Sequence, residues 1–127
     1  MRVISIFVTI GFLAVLVACT KDIGPNPDLV ERIVKCDTIS FNKNIRPIIQ
    51  ANCVSCHQPG GSGLTYGHAD YQTDMYAGLK TKVDNGELLT HVIDLSASPT
   101  MPLGMDPLPE LQREILRCWV NAGAPNN

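Results

Sequence analysis

Cys53 and Cys56 stand three positions apart and are followed at once by His57. That spacing puts two thiols and one imidazole on a single turn of chain, which is what covalent attachment of a haem requires. Each thiol adds to one vinyl group to form a thioether, and the imidazole just beyond the second anchor reaches the iron from one face. Two other chemistries use a Cys-x-x-Cys pair, a redox disulfide and half of a zinc site. Both leave His57 without a role, and zinc would need a second close pair of ligands. The remaining cysteines and histidines (Cys19, Cys36, Cys118, His68 and His91) are scattered. The motif is therefore read as the anchor of one covalent haem c, with His57 as an iron ligand.

An iron held by His57 has a second axial position, and what fills it separates carriers from catalysts. Met101, in Thr100-Met101-Pro102, ranks first because a proline-restrained loop presents a thioether without helical geometry in the way. Met105, four residues further along the same loop, is the alternative thioether. Met75 sits on the apolar face of an expected helix and is assigned to the core. His91, ahead of His68, would make a second imidazole ligand, and a site with no second protein ligand stays open. Thioether ligation raises the potential relative to a second imidazole.

Several elements must position these residues. After Arg2, an apolar run from Val3 to Ala18 is too short to span a bilayer comfortably and matches the core of an export signal. It ends in Leu16-Val17-Ala18-Cys19, which resembles a bacterial lipobox, so residues 1–18 are expected to be removed and Cys19 lipidated. Export fits the haem motif, since bacteria attach haem c outside the cytoplasm. Cys19 goes to lipid and Cys53 with Cys56 to haem, which leaves Cys36 and Cys118 as the expected disulfide in an oxidising compartment. That bridge would close most of the domain into one loop, an effect of about 4 kcal/mol. Without the signal, nine basic residues face twelve acidic ones, a formal balance of minus three. No basic stripe suggests nucleic acid.

Residues 19–35, with Gly24-Pro25-Asn26-Pro27, read as a tether able to reach roughly 50 Å when extended. Val30, Ile33 and Val34 are expected to form a helical turn packed on the domain. Residues 36–127 form that domain, and about a hundred residues build only one. Phe41, Ile45, Ile48 and Ile49 mark a first helix, starting near Asn44 with Asn42 or Asn44 as cap and Pro47 in its first turn. A Gly-rich loop over 58–63 lets backbone run close to the haem edge. A second helix is expected over 70–80 on Tyr71, Met75 and Leu79, then a turn at Asp84-Asn85-Gly86. A third is expected over 87–95 on Leu88, Val92 and Leu95. Residues 96–109 are helix-poor. A last helix over 110–122 carries Leu111, Ile115, Cys118, Trp119 and Ala122 on one stripe and stops at Gly123. The fold class is all-α.

The run Phe41-Asn42-Lys43-Asn44-Ile45-Arg46-Pro47-Ile48-Ile49, the motif Cys53–His57, the pair Met101-Pro102 and the close Trp119-Val120-Asn121-Ala122-Gly123-Ala124-Pro125 resemble small monohaem class I cytochrome c domains. Such domains occur in exported bacterial proteins, particularly of the Bacteroidetes, and the likeness covers about 40–127. It implies a cytochrome c-like fold of three to five short helices around the haem, with the first and last helices crossing and Trp119 in or near that crossing. It also implies Met101 as the distal ligand. One departure is the second disulfide cysteine, which in such domains lies near the start of the last helix and here is Cys118. The expected function is one-electron transfer between redox partner proteins by a carrier that is lipid-anchored to a bacterial membrane facing the periplasm. It would chemically change no substrate and so would not be an enzyme. A haem enzyme or gas sensor would need a displaceable sixth ligand, with His91 or His68 as its polar group. A third possibility is a haem docking module of a larger oxidoreductase complex.

Overall fold

After a 3₁₀ turn at Cys36–Thr38, the next helical segment is capped by Ser40, whose hydroxyl accepts from the Lys43 N–H while its own N–H donates to Asn44 Oδ1 at 2.9 Å. In this computed structural model, which describes residues 33–65, 70–71 and 73–127, that reciprocal pair satisfies two donors that a helix start otherwise leaves orphaned. The next turn, Phe41–Ile45, is a widened π-turn, and it runs into α1, Arg46–Asn52. The expected start near Asn44 is thus corrected to Phe41, and the cap to Ser40. Pro47 lies in the first turn of α1, where its missing N–H costs little. Phe41, Ile45, Ile48 and Ile49 are all buried.

A short helix, α2, spans Ser62–Thr65, and α3 spans Met75–Asp84. The expected start of α3 at Asp70 is also corrected. Asp70 instead accepts from the Thr73 N–H and hydroxyl at 3.1 and 2.6 Å, a side-chain turn that competes with helix. Asp74 then caps the helix by accepting from the Ala77 N–H. Tyr71 precedes α3 rather than belonging to it, yet it is buried together with Met75 and Leu79. After the turn at Asn85 and Gly86 comes a second π-turn, Leu89–Ile93. Leu88, just before it, and Ile93 are buried and Val92 packs on the core, but the expected Leu95 is not buried. A turn closed by i→i+5 bonds is wound more widely than an α-helix, which shifts its inward face.

Residues 96–109 form no helix, and the Ser98–Pro99 and Met101–Pro102 bonds are cis. The last helix, α4, spans Glu110–Asn121. Of the expected stripe, Cys118 and Trp119 are buried and Ile115 packs on the core, whereas Leu111 is 44% exposed and Ala122 is exposed, and Leu116, outside the stripe, is buried. Both π-turns and the 3₁₀ turn Cys36–Thr38 contact α4. Supports on several sides do not line up with one stripe. The helix ends in a Schellman motif, with Ala124 N–H donating to Trp119 C=O and Gly123 N–H to Val120 C=O, both at 2.9 Å.

The first and last of these helical segments meet. The Phe41 ring packs on Trp119 at 5.7 Å and edge-on to Tyr76 at 5.2 Å between centroids. Polar tips of these aromatics are satisfied, Trp119 Nε1 by Pro125 C=O and the Tyr76 hydroxyl by Ala124 C=O. Asn127 accepts from the Phe41 N–H through Oδ1 and from the Asn42 N–H through its carbonyl. Cys36 and Cys118 lie at disulfide-bonding distance, with Cα atoms 5.0 Å apart.

Among the described residues there is no strand, and no helix is long and apolar enough to cross a membrane. Ile33 is 69% exposed, so the expected turn does not pack on the domain through it. The export signal, Cys19, most of the tether with Val30, and His68 lie outside the described residues.

Candidate functional site

The end of α1 delivers the cysteine motif. Cys53 and Val54 N–H both donate to Ile49 C=O, and Cys56 and His57 N–H both donate to Cys53 C=O, so residues 53–57 form one compact turn. Gly63 N–H closes a second layer on Cys56 C=O at 2.9 Å. A Cβ on Gly61 would lie 2.3 Å from that carbonyl oxygen, so only glycine lets the 58–63 loop fold this close.

Cys53, Cys56, His57 and Met101 line one cavity of about 200 Å³, with apolar walls that include Val92 and Leu108. A second cavity of about 270 Å³ adjoins it through shared residues Cys53, His57, Val92 and Met101, and adds Leu79, Leu88 and Tyr71. Residues 44 positions apart, His57 and Met101, are therefore brought to the same two cavities by α1 and the 96–109 loop. Met105 also lines the first cavity, but is 71% exposed. Met75 is buried in the core and lines neither.

His91 lines the second cavity and does a job the sequence did not indicate. Its Nδ1 lies 2.7 Å from Pro99 C=O, and because a carbonyl only accepts, Nδ1 carries the proton. The Met101 N–H donates to the His91 carbonyl at 2.9 Å. His91 thus clamps the methionine loop at two points. No period in the sequence links it to Pro99, eight residues away.

Burial, followed by the charge of Cys56, pushes the Cys53 thiol up to about 11. Cys53 and Cys56 are both free thiols, the second exposed at the cavity rim. Burial also pushes the Tyr71 phenol up, helped by Cys53 and Glu87. Near the second cavity, Lys82 hydrogen-bonds Glu87 at 2.6 Å and holds that carboxyl below its ordinary value. The pair is partly exposed and adds little to stability.

No protein-family model, curated protein or solved structure matches the chain.

The donor set itself must therefore say what the site holds. Two free thiols, with an imidazole and a thioether lining the same apolar cavity, fit a covalently attached haem. Among the described residues no second pair of ligands for zinc joins them. Cys36, Cys118 and Glu114 do come within 4.8 Å of one another, but the two sulfurs are at bonding distance from each other and none of the three lines either cavity.

Proposed function

We propose that this protein is a monohaem c-type electron carrier with a cytochrome c-like fold, exported and lipid-anchored through Cys19. Cys53 and Cys56 would hold one haem by thioether bonds, and His57 and Met101 would be its axial ligands. The observation that carries this reading is the presence of Met101 beside the Cys53–His57 motif on both adjoining cavities. When bound, the haem supplies the one-electron couple of its iron. The chain's own residues bind, orient and exclude water. Val92, Leu79, Leu88 and Leu108 wall the cavities with hydrocarbon, and the His91 clamp keeps the Met101 loop in place.

A carrier keeps both ligands through the cycle and changes no substrate, so the protein is not assigned an enzyme activity. The enzyme or sensor reading needs a displaceable sixth ligand, whereas the His91 clamp ties the Met101 loop at Pro99 and at the Met101 N–H. Cys56 is exposed at the rim, so one edge of the site faces outward, where a redox partner protein would dock.

The test is protein matured in a host that exports it and attaches haem. Denaturing mass spectrometry should show one haem retained, acid–acetone extraction should leave it on the chain, and the ferric form should show a weak thioether charge-transfer band. Release of the haem on extraction, or export of a haem-free chain, would overturn the proposal.

A further inference from the structure

Tyr71 has no role in the chemistry described above, yet its ring is placed against the imidazole at the centre of the site. The two rings stack with centroids 4.9 Å apart and planes 30° from parallel. Their backbones are joined too, since the Tyr71 N–H donates to His57 C=O at 2.8 Å. Tyr71 is only 6% exposed and lines the second cavity. α3 also closes on this ring at Gly78. A Cβ on Gly78 would lie 3.1 Å from Tyr71 Cδ1 and 2.8 Å from Asp70 C=O. Glycine inside a helix is unfavourable relative to alanine, and here its lack of a side chain is what lets α3 close on the tyrosine. The edge of His57 is bounded as well, because a Cβ on Gly63 would lie 3.0 Å from His57 Nδ1.

We propose that Tyr71 is a positioning residue for His57: packed by α3 at Gly78 and stacked on the imidazole, its ring fixes the plane in which that imidazole meets a bound metal. The inference rests on the haem reading above. A stack of this kind restrains rotation about the last side-chain bond of His57 while leaving its ring nitrogens to their other partners. In a low-spin ferric haem, the plane of an axial imidazole sets the in-plane magnetic axes. Those axes are read by electron paramagnetic resonance and by the order of the paramagnetically shifted haem-methyl proton resonances. A merely structural tyrosine would move neither.

The experiment uses haem-loaded protein. In ferrous wild type, nuclear Overhauser cross-peaks between the Tyr71 and His57 ring protons are expected, and their absence overturns the proposal whatever the variants do. Tyr71→Phe keeps the ring and should reproduce the wild-type haem-methyl order and g-values. Tyr71→Leu should change both with the haem still covalently bound, and Gly78→Ala, which pushes on the ring from α3, should shift them in a protein that retains Tyr71. A Tyr71→Leu protein with bound haem and wild-type magnetic axes would overturn the positioning role alone. A wild-type chain exported without haem would instead overturn the haem reading on which it rests.

Discussion

Met101 and Met105 lie on one loop and both line the first cavity, but they are held differently. Met101 also lines the second cavity and has its N–H on the His91 carbonyl, whereas Met105 is 71% exposed. A ligand that must stay bound in both oxidation states is better supplied by the restrained residue. Met101→Ala should therefore abolish the thioether charge-transfer band, admit CO to the ferrous iron and lower the potential. Met105→Ala should leave all three nearly unchanged, and loss of the band there would move the ligand to Met105. His91→Ala tests the clamp. It keeps both methionines but removes one hydrogen bond, about 1 kcal/mol, so displacement of Met101 by CO should become about fivefold easier. An unchanged CO affinity would deny His91 that role. At this scale the sequence is informative where chemistry is local. Cys53, Cys56 and His57 announce themselves by spacing alone, and Met101 by a proline-restrained loop. His91 and Tyr71 do not, because their partners Pro99 and His57 are reached only through the fold.

Among the elements, apolar spacing located every main helical segment, and its phase held at Phe41, Ile45, Ile48 and Ile49 and at Tyr71, Met75 and Leu79 but only in part in the last two segments. The periodicity assumes 3.6 residues per turn, and two segments, Phe41–Ile45 and Leu89–Ile93, are wound more widely. That is why Ile93 is buried where Leu95 was expected. On α4 the stripe held at Ile115, Cys118 and Trp119 but missed Leu116, which is buried where three elements pack on this helix. Stop signals proved more dependable, as at Gly123, with φ at +85° and no atom within 4 Å of a would-be Cβ. Gly123→Ala therefore carries only the left-handed backbone cost, and should lower unfolding stability by about 1–2 kcal/mol. The start of the first turn has a cap that no local pattern reveals, the Asn127 side chain on the Phe41 N–H. Asn127→Ala should cost about 1 kcal/mol, as loss of a helix cap does. Denaturant midpoints of haem-loaded protein would check both, and neither change should move the visible spectrum.

For the whole molecule, the question is how so short a chain stays closed around an apolar cavity. A domain of this size buries a limited core, and here the chain ends of the domain are tied to each other, Asn127 to Phe41 and Cys36 to Cys118. The cysteine pair was legible from arithmetic, because the proposed lipid and haem attachments would take the other three. Its position late in α4 rather than near the helix start is accommodated because the Cys36–Thr38 turn itself packs on α4. A bridge across 82 residues removes a large loop-closure entropy from the unfolded chain, about 4.5 kcal/mol. Neither sulfur lines the cavities of the site. Replacing Cys36 and Cys118 together by alanine should thus lower stability by about 4 kcal/mol, a little less if the unfolded chain is compact, while leaving the haem spectrum and CO resistance as in wild type. Non-reducing peptide mapping of the exported protein should find the crosslink directly. Free thiols at both positions, or a double variant as stable as its parent, would mean that packing on α4 alone holds the domain closed.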